Sequence, residues 1–122
     1  MASRSRRSRP LRFTDKVAEQ LADTMFALST PSRVQILGCL LEDPHSVSEL
    51  MDALAMEQSA VSHQLRILRE HKLVKVEREG RRRVYALYDE HVVALLEEAR
   101  RHVERRAETR RKLGPRLKRA TS

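Results

Sequence analysis

The sequence predicts a mainly α-helical chain with one small β-hairpin, in the order α-α-α-α-β-β-α. Three observations predict it. Apolar residues recur every three or four positions from Thr14 to His71, the spacing of helices buried on one face. Alternation with a period of two replaces that pattern only across LVKVEREGRRRVYALY, on both sides of Gly80. Helical spacing then returns after Asp89. A chain of 122 residues with 40% hydrophobic and 34% charged residues forms one small domain with a large solvated surface.

Residues 1–12 hold five arginines and no acid, without apolar periodicity, and are expected to be a disordered basic arm. Thr14 caps a first helix whose apolar residues Val17, Leu21, Met25 and Leu28 recur every three or four positions. In TPSRVQILGCLLEDP, Thr30 is an N-cap and Pro31 takes the first helical position, where its missing N–H costs nothing. Val34, Leu37, Leu40 and Leu41 form its expected inner face, Cys39 is a small core residue and Pro44 stops the helix. Ser46 and Glu49 fit a capping box that opens the short helix ELMDALA. After a turn at Met56-Glu57 comes QSAVSHQLRILREH, with Val61, Leu65 and Leu68 on one face. Two short helices joined by a tight turn, the second polar outside, are the pattern of a helix-turn-helix.

The hairpin that follows carries Arg78, Arg81, Arg82 and Arg83 around its tip. Tyr85 and Tyr88 are expected in its packed strand. Asp89 caps a final helix from 90 to about 108, and Gly114-Pro115 lies beyond it. The whole order is that of a winged helix-turn-helix. The expected organisation is an arm over 1–12, a DNA-binding and dimerisation domain over 13–108, and a disordered basic tail over 109–122.

Net charge is +8, but it is not evenly spread. Residues 100–122 hold ten Lys and Arg against Glu104 and Glu108, so with the N-terminal arm they leave residues 13–99 net acidic. Within that acidic part, residues 61–88 carry eight Lys and Arg against three acids. This local stripe is the better electrostatic footprint of a polyanionic partner. The basic ends themselves either add salt-sensitive affinity or are solvated tails. No apolar run reaches the roughly 18–20 residues of a membrane span, and MASRSRRSRP lacks the apolar segment of a secretory signal. A cytoplasmic protein is expected. One cysteine rules out an internal disulfide or a thiolate cluster within a chain.

At the start of QSAVSHQLRIL the outward residues are Gln58, Ser59, Ser62, His63 and Gln64. Short amides and hydroxyls suit base edges in a major groove, which offer donors and acceptors at close range. Arg66 and Arg69 lie further along and suit phosphates. Arg81 and Arg82 at the hairpin tip suit the backbone or minor groove beside it. RNA or single-strand binding is disfavoured, because two Tyr and two Phe make a poor stacking platform.

The last helix carries His91 and His102. Eleven residues place them about 20° past three turns, on one face but about 16 Å apart. Metal–nitrogen bonds are about 2.0–2.1 Å long, so one helix cannot bring both to one ion. An antiparallel second copy can, and Val92, Leu96, Ala99 and Val103 give this helix an apolar stripe for pairing. A two-fold dimer would suit an inverted-repeat operator in double-stranded DNA.

LSTPSRVQIL, MEQSAVSHQLRILREHKLV and GRRRVYALYDEHV resemble the ArsR/SmtB family of metal-responsive repressors, over about residues 14–106 and closest to its nickel/cobalt- and zinc-sensing branch. The resemblance implies a homodimeric, DNA-binding repressor. It also implies interhelical sites with Asp-x-His from one protomer and His-x-x-His/Glu from the other. Asp89, His91 and His102 match, whereas Arg105 stands at the fourth position and cannot ligate. Glu104 is adjacent but about 200° round the helix. Two imidazoles and a carboxylate suit Ni(II), Zn(II) or Co(II), and the absence of thiolates argues against Cu(I) or arsenite. A metal-independent dimeric regulator with a degenerate site is the alternative. An enzyme is not expected, since the chain shows no phosphate loop, nucleophile motif or single-chain catalytic cluster.

Overall fold

The computed structural model describes residues 11–114. Five helices and one hairpin follow in the expected order: α1 (Asp15–Ala27), α2 (Pro31–Glu42), α3 (Val47–Leu54), α4 (Gln58–Glu70), β1 (Val74–Glu79), β2 (Arg82–Leu87) and α5 (Glu90–Leu113). The helix starts are set by side chains that satisfy backbone donors left open in a first turn. Thr14 Oγ1 accepts from Val17 N at 3.2 Å and Thr30 Oγ1 from Arg33 N at 3.4 Å. At α3 the capping box closes both ways. Glu49 N donates to Ser46 Oγ at 3.2 Å, and Ser46 N donates to Glu49 Oε1 at 2.9 Å. Asp89 Oδ1 accepts from Val92 N at 3.1 Å and opens α5.

Ala27, Ile36, Leu37, Leu40, Leu50, Val61, Leu65, Leu68, Leu73, Val74, Tyr85, Leu87 and Val92 form one core. In it α2 packs against α3, α4 and β2, while α4 packs against α3 and β1. The link between α3 and α4 is tight because Ala55 adopts the left-handed conformation at φ 53°, ψ 46° and caps α3. The phase of α2 differs from that expected. Arg33, Ile36, Leu37 and Leu40 are its buried row, Leu41 is half-buried, and Val34 is exposed. Val34 and Leu41 stand about a quarter-turn round from that row.

Helix α1 buries little of its apolar row. Val17, Leu21 and Met25 are exposed, Leu28 is half-buried, and only Ala27 of this helix is buried. Its apolar row is an open stripe within the single chain.

The strands pair antiparallel from Val74↔Leu87 to Glu79↔Arg82. Gly80 takes φ +65°, the left-handed backbone that the first central residue of a II′ two-residue turn requires. His45 extends this ladder by one bridge: its N–H donates to Tyr85 O at 3.0 Å and its carbonyl accepts from Tyr85 N at 2.7 Å. Tyr88 falls outside β2 and is exposed, contrary to its expected place in the packed strand.

Helix α5 continues to Leu113, so residues 109–113, expected in the tail, are helical. No breaker occurs before Gly114, whose φ of +70° ends the helix, as a glycine past a helix end commonly does. Arg110, Arg111 and Lys112 suit the negative end of its dipole. Glu108 pairs with Lys112 at 3.8 Å, one turn along the same face. The remainder of the tail, 115–122, and residues 1–10 of the arm lie outside the described residues. Among the described residues no helix is long and apolar enough to cross a membrane.

Candidate nucleic-acid interface

The buried row Val61, Leu65 and Leu68 fixes which side of α4 faces out. Gln58, Ser59, Ser62, His63, Arg66 and Arg69 are exposed. Ser59, Ser62, His63 and Arg66 line one open depression, at the i, i+3, i+4 and i+7 spacing of a single helix face. The first turn of α4 contains no acid, and its N-terminal amides have no side-chain cap. Amides free at a helix start favour phosphate oxygens.

Gln64 stands apart from this group. It is half-buried, and its Oε1 accepts from Arg33 Nη1 at 3.0 Å. The reason is its phase: Gln64 immediately precedes the buried Leu65 and follows Ala60 by one turn, on the flank that meets α2. Arg33 escaped the sequence reading. Its signal was an arginine four residues before Leu37 on the inner row of an apolar helix.

The hairpin also sorts its arginines. Arg82 Nη2 lies 2.7 Å from Glu49 Oε1, so the tip is tied to the start of α3. The Ser46 N–H and then Arg82 hold the Glu49 carboxyl below its ordinary range. Arg81 is exposed at the turn. Arg78 and Arg83 face each other across the ladder. The Arg83 guanidinium stands 5.8 Å from the Tyr85 ring centroid, within cation–π range.

At the start of α5, Asp89 and His91 lie together, with His91 Nδ1 3.6 Å from Asp89 Oδ2. The Val92 N–H, followed by His91, holds the Asp89 carboxyl below its ordinary range. The His91 side chain is 96% exposed. His102 is exposed further along the helix. Within the described residues of this chain no group of three or more His, Cys, Asp or Glu could hold a metal. Glu104 accepts from Arg100 at 3.5 Å, and Arg105 is exposed.

The apolar stripe of α5 is divided. Val92 is only 7% exposed and Leu96 is half-buried, both against the chain's own core. Ala99 and Val103 remain exposed. Leu95, outside the stripe expected from sequence, is half-exposed and lies four residues after His91 on much the same face. Cys39 is half-buried, and desolvation followed by Glu42 raises its thiol pKa, as suits an unreactive packing residue.

A helix offering short polar side chains, joined by a tight turn to a supporting helix and flanked by a basic hairpin, defines a winged helix-turn-helix DNA-binding protein. Residues 30–76 match the family described as bacterial regulatory protein, arsR family. The chain is 52% identical over 101 residues to the HTH-type transcriptional regulator NmtR of Mycobacterium tuberculosis, covering 83% of this chain and 82% of that protein. A solution structure of apo-NmtR matches with a TM-score of 0.66 at 49% identity, over 82% of this chain and 84% of that one. The chain is 42% identical to a transcriptional repressor SmtB homolog of Synechocystis, over 71% of this chain and 66% of that protein. The homodimeric winged helix-turn-helix domain of Mb0332 from Mycobacterium bovis matches with a TM-score of 0.73 at 27% identity, over 83% of this chain and 96% of that one. This chain belongs to the ArsR family, and it is a DNA-binding transcriptional regulator rather than an enzyme.

Proposed function

We propose that the chain is a cytoplasmic, homodimeric repressor whose affinity for an inverted-repeat operator is set by a transition metal held between paired α5 helices. The observation that carries this reading is the pairing of Asp89 with the exposed His91, with His102 on the same helix face. In an antiparallel pair, Asp89 and His91 of one copy meet His102 of the other, giving two equivalent sites. The donors fit the group: Asp89 is held ionised, its Oδ1 is occupied by the cap, its Oδ2 faces His91 Nδ1 at 3.6 Å, and both His91 and His102 are exposed. Zn(II), Ni(II) or Co(II) accepts such a set, with water completing it, or with Glu104 if a local distortion of the helix brings it round from Arg100. The metal supplies a crosslink between two helices. The protein's own residues do the rest: Gln58, Ser59, Ser62 and His63 meet bases, and Arg66, Arg69 and Arg81 meet phosphates.

Dimerisation is supported by the open row Val17, Leu21 and Met25 on α1, together with Leu95, Ala99 and Val103 on α5. Both the Mb0332 domain and the two-fold logic of palindromic sites support a second copy as the occupant. Repression as the sense of regulation is supported by the SmtB homolog. A second reading, a metal-independent dimer, is favoured by Arg105 at the place where the family sites carry a fourth ligand.

The test is anisotropy titration of the best duplex that the wild-type protein selects from a randomised library. Measurements are made metal-free and with Zn(II), Ni(II) or Co(II), on wild type and on His91→Ala. A coupling of about 1–3 kcal/mol changes wild-type affinity by roughly 5- to 150-fold, and His91→Ala abolishes the change. If no metal moves wild-type affinity, the metal-independent reading stands in its place.

A further inference from the structure

Arg33 is 6% exposed on the inner row of α2, and among the described residues no carboxylate pairs with it. A buried cation is costly unless its donors are used. Here they are used on two different elements. Nε donates to Ala27 O at 2.6 Å and Nη2 to Phe26 O at 3.2 Å, so one edge of the guanidinium closes over the last carbonyls of α1. Those carbonyls are the negative end of the α1 dipole, which offsets part of the charge without an acid. The third contact, Nη1 to Gln64 Oε1 at 3.0 Å, crosses to α4. One rigid, planar fork therefore fixes three points at once: the end of α1, the inner face of α2 and the flank of α4.

We propose that Arg33 and Gln64 are positioning residues that set the recognition helix α4 against α1, and that Gln64 does not read a base. A glutamine that reads adenine needs its carbonyl oxygen and its amide group together at the base edge. The Gln64 oxygen is instead committed to a buried cation. Because α1 carries the open apolar row at the proposed dimer interface, the same fork links the spacing between two copies to the setting of each α4. That last link rests on the dimer reading above; the role of Gln64 does not.

Glutamine, glutamate and leucine at position 64 separate the alternatives. A carboxylate accepts from Arg33 at least as well as an amide, yet at a base edge or beside phosphates it would repel DNA. The probes are the duplex selected by the wild-type protein, its single-base-pair variants, and a scrambled duplex of the same length, with thermal melting as a folding control. Gln64→Glu is expected to bind the selected duplex within about threefold of wild type, with the same ranking of base-pair variants. Gln64→Leu is expected to lose about tenfold or more on the selected duplex, by a similar factor for every base-pair variant, while binding scrambled DNA as wild type does. The proposal is overturned if Gln64→Glu loses as much as Gln64→Leu, or if the Gln64→Leu loss is confined to one base pair. Sedimentation of the same variants keeps the dimer reading separate, since a monomeric wild type would sink that reading and leave the base-pair pattern standing.

Discussion

Leu21 sits mid-way along the open face of α1 and is 38% exposed in the single chain. Full burial of a leucine side chain is worth about 1.5–3 kcal/mol, so roughly 0.6–1 kcal/mol of that remains to be gained at an interface. A two-fold dimer contains this contact twice, which makes Leu21→Ala a loss of about 1–2 kcal/mol per dimer. At about 1.4 kcal/mol per decade, the dimer dissociation constant rises about 5- to 30-fold. Leu21→Glu also buries a carboxylate without a partner, and is expected to raise it by about 100-fold or more. Sedimentation equilibrium over a concentration series reads both changes. Glu19→Gln, on the far side of the same helix, serves as the control and should leave association unchanged. A dissociation constant that stays within about threefold for Leu21→Glu would refute the assignment of the α1 row to the dimer interface. An increase that Glu19→Gln shares would show that α1 acts through its own stability instead.

Three further outcomes follow from local geometry. Glu49 has a folded-state pKa below its ordinary value of 4.5, so its contribution is present above that pH and is lost as pH falls through the folded value. The stability gap between wild type and Glu49→Gln in urea unfolding should therefore be widest near neutral pH and narrow on acidification; a gap independent of pH contradicts the capping and wing roles. Ala55→Gly relieves a left-handed alanine at φ 53°. It is expected to stabilise the chain by about 0.5–1 kcal/mol, a gain that a lowered melting temperature would disprove. On DNA, Ser62→Ala should relax preference at one base pair by about 1–3 kcal/mol, whereas Arg66→Ala should weaken all sequences alike and lower the salt slope by about one. Reversal of that pattern would exchange their roles.

Most of the fold was legible because local signals agreed with one another. The caps at Thr14, Thr30, Ser46 and Asp89 were read from sequence, and each makes its expected hydrogen bond. The change of period at Leu73 marks the hairpin because a strand and a helix cannot share one apolar spacing. What escaped was information that apolar periodicity does not carry. The row on α1 was correctly identified as apolar, but a pattern of that kind does not say whether the core or another chain covers it. In α2 the inner row holds Arg33, whose spacing from Leu37 marks the position but not the carbonyls of α1 that receive the charge. The same limit applies to the functional surface. Gln58, Ser59, Ser62 and His63 do stand outward, while Gln64 and Arg82 are drawn to Arg33 and Glu49, partners 31 and 33 residues away in sequence. Helix α5 outruns its expected end near residue 108 because the charge there reads as a tail, although its alternating acids and bases also support a helix.

The division of α5 has a mechanical meaning. Val92 and Leu96 root its first two turns in the chain's own core. Beyond them the helix runs on to Leu113. At ~1.5 Å per residue that free stretch reaches outward for roughly 25 Å, like a beam fixed at one end. Asp89 and His91 belong to the fixed root, whereas His102 sits on the free span. An ion joining them across two copies would tie the span of each chain to the root of the other. Neither span could then swing without carrying the opposite domain, and its α4, along with it.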